Sequence, residues 1–242
     1  MKTIGLLGGM SWESTLTYYT LINRGIRDAL GGLHSAELVL YSVEFARIEE
    51  LQAQGNWKKA GQLLADAARK IEGAGAQALF ICTNTMHKVA PLVEAAITIP
   101  LVHIADATGR AIIGQGMKKV GLLGTRFTME DDFYKGRLTD NFGIEVCIPP
   151  ADERDLVHRV IYEELCCGIV KDSSRAAYAD IVARLGRQGA EAVILGCTEI
   201  SLLIREQDTT MPLLDTTAIH ARAAVEFALG KADGQESTAS RE

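Results

Sequence analysis

The chain repeats itself. KTIGLLGG (2–9) returns as KKVGLLGT (118–125), GAQALFICTNT (75–85) as GAEAVILGCTE (189–199), and IPLV (99–102) as MPLL (211–214). The offsets are 116, 114 and 112, so three blocks recur in one order at a nearly constant spacing. A unit of about 110 residues used twice predicts two similar halves.

The content of each half follows from its periodicity. Short apolar, β-rich runs occur at 3–9, 37–43, 78–83, 100–104, 119–125, 145–149, 192–198 and 212–215. Between them lie stretches with helical spacing, such as 56–75, with Leu64, Ala67, Ala68 and Ile71, and 173–190, with Tyr178, Ile181, Val182 and Leu185. Strand–helix alternation with glycine at the joins is the pattern of parallel α/β architecture. The expected organisation is a first α/β half at 1–104, completed by 209–230, and a second half at 105–208. The polar tail, 231–242, is expected to be disordered.

The repeat also ranks the chemistry-bearing residues of ICTNTMHK (81–88). Without a gap, Cys82 pairs with Gly196, and Thr83 pairs with Cys197. Successive strand residues point to opposite faces, so Cys82 and Thr83 cannot both aim at one cleft. Cys82 is therefore expected in the core and Thr83 at the carboxyl end of its strand, where open α/β sheets bind ligands.

Composition excludes several classes. The net charge is −6 with a pI near 5.5, and no basic stripe is visible, which argues against a nucleic-acid partner. No apolar run reaches the roughly 18–20 residues of a membrane span, and the N-terminus reads as a buried first strand in a cytoplasmic protein. The five cysteines are odd in number and lack CxxC spacing, so neither a disulfide framework nor a metal site is expected. GLLGG is not GxGxxG, and no acidic residue suits a ribose downstream, so a dinucleotide role is not expected.

With the halves packed about a pseudo-twofold axis, Thr83 and Cys197 face each other across the cleft. One group on each face of a carbon suits racemisation or epimerisation. Cys197 precedes TEISLLI, and a helix starting there would lower its thiol pKa and make it a base. Threonine is a poor base but an acceptable proton donor, so the two enantiomers are expected to react unequally. GGMSWES (8–14), with Met10 and Ser11, and GTRFTMED (124–131), with Thr125, offer backbone N–H groups to a carboxylate. Thr128 and Asp131 have capping-box spacing. Asn84, Thr85, Thr198 and Glu199 are candidates for a ligand's polar groups, with Glu199 suited to an amine. Arg47 or Gln52 suits a side-chain carboxylate. His87, His103, Cys166 and Cys167 are expected to be structural, and Trp12, with Met10, is a candidate cleft wall.

GGMSWES, CTNTMH and GCTE together resemble the aspartate/glutamate racemase superfamily, the cofactor-independent two-base amino-acid racemases, over about residues 2–229. The similarity is greatest to the enterobacterial broad-specificity or L-aspartate/glutamate-specific members. The resemblance implies two Rossmann-like domains with the active site between them, a homodimer, and no pyridoxal phosphate or metal. It places Thr83 where the family usually carries the first cysteine, and Cys197 at the second. Arg47 matches a family arginine, whereas Cys166 stands where many members have a lysine. Threonine at the first position resembles a subgroup preferring L-substrates, so L-aspartate and L-glutamate are the expected substrates. Hydantoin racemases, maleate isomerases, malonate-type decarboxylases and a non-catalytic amino-acid-binding protein are the alternatives. Glu199 favours a substrate bearing an amine.

Overall fold

The structure is a computed structural model and describes residues 1–231; apart from Lys231, the expected disordered tail lies outside the described residues. The first half runs β1 (Ile4–Gly8), α1 (Trp12–Leu30), β2 (Leu38–Ser42), α2 (Phe45–Ala53), α3 (Trp57–Gly73), β3 (Ala78–Ile81), a 3₁₀ turn (Thr85–Val89) and α4 (Ala90–Glu94). The second begins with α5 (Ile104–Gly114), β4 (Lys119–Gly124), α6 (Arg126–Glu130), α7 (Asp132–Phe142), β5 (Glu145–Cys147) and α8 (Ala151–Glu163). It continues through α9 (Asp172–Arg187), β6 (Ala192–Gly196), α10 (Ile200–Leu203), β7 (Leu213–Asp215) and α11 (Thr216–Ala228).

Two parallel sheets result, ordered β2-β1-β3 and β5-β4-β6-β7. Leu101 adds an isolated parallel bridge to Leu79, so the expected strand at 100–104 is reduced to a single contact. It still occupies the place that β7 holds in the other sheet, where Leu213 pairs with Val193. The repeat survives as register. Ile4 pairs with Ala78 and Leu7 with Ile81, just as Val120 pairs with Ala192 and Leu123 with Leu195. In each half the chain steps from the first strand to one neighbour and returns to the other side. The carboxyl ends of β1 and β3, and of β4 and β6, therefore flank a switch-point crevice.

Strand alternation sorts the first core. Leu7, Leu79 and Ile81 pack with Ile48 and Leu51 of α2 and Leu64, Ala68 and Ile71 of α3. Ile4, Leu6, Ala78, Phe80 and Cys82 face the other way, onto Tyr18, Ile22 and Ile26 of α1 and Ala221 and Ala224 of α11. Cys82 is thus a fully buried core residue on the α1 side of the sheet. The second half builds one contiguous core around β4 and β6.

One domain boundary needs correction. Residues 209–230 do not pass as a unit to the first half, because β7 extends the second sheet beside β6. Only α11 crosses back to pack on α1, and it also touches α5. MPLL carries the apolar pattern of a covered strand, and its repeat partner IPLV sits against β3 in the same way. Asp215 then ends the strand and starts α11, its carboxylate accepting from the Thr217 and Ala218 N–H groups.

Matched glycines let the helices close onto the sheets. A Cβ on Gly5 would sit 2.3 Å from Ile71 Cγ2 of α3; on its repeat mate Gly121, it would sit 2.9 Å from Leu185 Cδ1 of α9. Overpacking of this kind costs about 1–3 kcal/mol. We predict that Gly5→Ala destabilises the protein within that range, and more than Gly121→Ala, as read by urea unfolding midpoints. A Gly5→Ala variant of unchanged midpoint would contradict this packing.

Candidate active site

The strand ends meet at a narrow cleft, partly open to solvent, with a cavity volume of about 30 Å³. β1 delivers Met10 and Ser11, and β3 delivers Thr83, Asn84 and Thr85. From the other half, β4 delivers Thr125, and β6 delivers Cys197, Thr198 and Glu199. Gly9 takes a positive φ of 90°, turning the chain from β1 into α1, and its N–H is held by Thr15 Oγ1 at 2.8 Å. Ser11 caps α1, accepting from Ser14 N–H at 3.2 Å.

The two halves are joined across the cleft by hydrogen bonds to one carboxylate. Ser11 Oγ donates to Glu199 Oε1 at 2.8 Å. Cys197 Sγ and Thr198 Oγ1 both donate to Oε2, at 3.0 and 2.6 Å. The Thr85, Thr125 and Thr128 hydroxyls form a triangle with sides of 3.0 to 3.4 Å, again spanning the halves. Asn84 is buried. Its Nδ2 donates to Thr216 Oγ1 at 3.0 Å, and its Oδ1 has no partner among the described residues. An unpaired buried acceptor is costly, so its presence on a cleft wall marks a place for a ligand donor.

Gln52 and Tyr162 close another wall. The Tyr162 hydroxyl donates to Gln52 Oε1 at 3.3 Å, and among the described residues Gln52 Nε2 reaches only the Met86 sulfur, at 2.9 Å. A thioether is a weak acceptor, so that amide keeps donor capacity for a ligand. Ten of the eleven residues expected to catalyse or to bind substrate line the cleft; Arg47 does not. Arg47 is exposed on α2, where its backbone N–H caps onto Glu44. Trp12 also turns outward, 64% exposed.

Several lining residues escaped the sequence reading. Phe45, Ile161, Tyr162 and Cys166 come from α2, α8 and the turn after α8, outside the three repeated blocks. Cys166 was expected to be structural, and the only hint otherwise was its place at the family's lysine position. The capping box expected at Thr128 and Asp131 is not formed; α6 starts earlier, where Thr125 caps it and accepts from Thr128 N–H. The expected lowering of the Cys197 pKa is reversed. Burial raises it well above the ordinary thiol value, and the Glu199 carboxylate adds to the rise. The following helix, α10, has only four residues, too short to offset either effect. Burial likewise pushes Cys166 up to about 12. Among the described residues, no group of three His, Cys, Asp or Glu side chains is placed to hold a metal ion.

The fold and the cleft define a two-lobed parallel α/β protein with its ligand site between the lobes. The profile of the Asp/Glu/hydantoin racemase family matches residues 7–224. A Yersinia pestis protein assigned to the Asp/Glu racemases is 56% identical, its structure superposing with a TM-score of 0.90 over 95% of this chain and all of that one. An aspartate racemase homologue from Pyrococcus horikoshii is 36% identical, with a TM-score of 0.82 over the same shares. The broad-specificity amino-acid racemase RacX of Bacillus subtilis is 22% identical over 92% of this chain and 96% of its own. The chain belongs to the Asp/Glu/hydantoin racemase family, and so to the isomerases.

Behind Thr83 lies a buried histidine cluster. The His87 ring sits 4.4 Å from His103 and 5.9 Å from His220, centroid to centroid. Burial lowers all three pKa values: His87 falls well below the ordinary range, His103 to about 3 and His220 to about 4. His103 and Arg137 add smaller effects on His87 and His103 respectively. An unfolded histidine titrates near 6.5, so below that pH the unfolded chain binds protons that the folded chain refuses. Stability is therefore full above about pH 6.5 and is lost as the pH falls towards 4. Each ring costs up to about 1.4 kcal/mol per pH unit in that window. Urea unfolding at pH 5.0 should show at least about 2 kcal/mol less stability than at pH 7.5. Equal stability at the two pH values would contradict the neutral cluster.

Proposed function

We propose that this protein racemises acidic amino acids, with L-aspartate and L-glutamate preferred, by removing the Cα proton on one face and returning a proton on the other. The proposal uses no pyridoxal phosphate and no metal. It includes a homodimer, as the resemblance implies, and a cytoplasmic setting. The observation that carries it is that Thr83 and Cys197, repeat mates on different halves, line one cleft.

The resting cleft suggests the order of events. Cys197 holds its proton and donates it towards Glu199 Oε2. An incoming ammonium brings positive charge beside the thiol, which favours the thiolate, and the thiol proton leaves to solvent. Asn84 Oδ1, the unpaired acceptor, receives an ammonium N–H. The hydroxyls of Thr85 and Thr125 are available to the α-carboxylate. The Gln52 amide, supported by Tyr162, suits the distal carboxylate with neutral donors, in keeping with Arg47 lying outside and a cysteine standing at position 166. The Cys197 thiolate then takes the Cα proton, the Thr83 hydroxyl donates to the opposite face, and Thr83 regains a proton from solvent.

The pair is unequal. Removing a proton by way of Cys197 is easy to reverse, because a thiol exchanges with water; delivery from Thr83 is hard. In D₂O, L-aspartate and L-glutamate should therefore lose their α-proton signals faster than they invert, and the D-enantiomers should exchange slowly. Loss of a general acid or base costs roughly 10²–10⁴-fold. Cys197→Ala should abolish L-side exchange to that extent. Thr83→Ala should lower inversion roughly 10²-fold or more, leaving L-side exchange within about threefold of wild type. No exchange from any of the four acids would contradict the proposal. Saturable binding without exchange would favour a binding protein.

A further inference from the structure

We infer that His87 is a positioning residue for Thr83: its ring holds the strand-end backbone that carries the Thr83 hydroxyl into the cleft. The inference rests on the two-base reading above. The last sheet bond of this segment runs from Cys82 N–H to the Leu7 carbonyl, at 2.9 Å. Beyond it, the Thr83 carbonyl is claimed by His87 Nδ1 at 2.8 Å. The other ring nitrogen, Nε2, lies 3.2 Å from the Ile104 N–H. A carbonyl needs a donor and an N–H needs an acceptor, so the two contacts together fix the neutral Nδ1–H tautomer.

The repeat gives this position an independent meaning. His87 is the mate of Ser201, as Thr83 is of Cys197. Ser201 Oγ donates back to the Thr198 carbonyl at 2.9 Å, while the Cys197 carbonyl is satisfied by the Ile200 N–H at 3.1 Å. Both halves thus use this position to hold the segment leaving the strand. In the first half, the side chain replaces the backbone bond that the second half makes.

The anchor is itself fixed at the join between the halves. Ile104 is the first residue of α5, and His103 caps that helix by accepting from Ala105 N–H at 3.1 Å. His87 is 1% exposed and does not line the cleft. With both nitrogens engaged by backbone groups, it has no proton to trade with a substrate. Thr83 needs such support more than Cys197 does, because a weak acid donates only at good geometry. A misplacement of about 1 Å can cost roughly 10²-fold.

The test separates the two faces of the reaction. Asparagine at 87 puts an amide N–H near the Nδ1 position, whereas glutamine puts its amide near Nε2 and loses the Thr83 contact. His87→Gln should lower inversion of L-glutamate at least tenfold while leaving L-side α-deuterium exchange within about threefold of wild type. His87→Asn should recover inversion to within about threefold. Thermal melts show that each variant is folded at the assay temperature. Equal loss of exchange and inversion, or Asn no better than Gln, would overturn the inference. A readout on the wild-type protein needs no variant to fold: long-range ¹H–¹⁵N NMR should find His87 as the Nδ1–H tautomer from pH 6 to 8. An Nε2–H tautomer, or titration in that range, would overturn the inference. Wild-type protein that exchanges none of the acids would instead remove the racemase reading, whatever the tautomer.

Discussion

The cleft depends on where two parallel strands stop. In a parallel sheet all carboxyl ends lie along one edge, so whatever follows β3 and β6 is delivered to a predictable place. Both strands pair with their neighbours in the same register, β3 ending at Ile81 and β6 one repeat position later, at Gly196. Thr83 and Cys197 follow from that shared register. The glycines that let α3 and α9 approach, and the capped turns that begin α1 and α6, preserve it. The Ser11–Glu199 bond, together with the threonine triangle, then ties the two edges to each other.

Symmetry of the backbone carries an asymmetry of chemistry. One strand end presents a thiol bonded to a carboxylate; the other presents a hydroxyl whose backbone is held by a buried imidazole. Burial, with the carboxylate, holds the thiol pKa well above its ordinary value, and burial keeps the imidazole neutral. Each face is thus set up by a different neighbour: Glu199 is the repeat mate of Thr85, and His87 that of Ser201. The cleft walls away from the strand ends are neutral: Gln52, Tyr162 and Cys166, with Arg47 outside.

What the sequence made legible was whatever the repeat or strand alternation controls. The paired strands, the burial of Cys82 and the placing of Thr83 and Cys197 on one cleft all follow from a period of two and a constant offset. Arg47 was misplaced because a helix start tells little about which way a long side chain turns. Tyr162 and Cys166 were missed because α8 and its following turn have no partner block, and helical spacing marks them only as half-buried. The Cys197 pKa was misjudged for a different reason. A helix dipole can be guessed from residue order, but desolvation and the rotamer that brings Glu199 to 3.0 Å are properties of the packed cleft.

The most direct test of the account is a crystal structure of the Cys197→Ser variant with L-glutamate bound. The account predicts the substrate Cα between the residue-197 and Thr83 hydroxyls, one on each face, with the ammonium at Asn84 Oδ1 and the distal carboxylate at Gln52. A substrate whose Cα meets both groups from one side, or that lies outside the cleft, would contradict it.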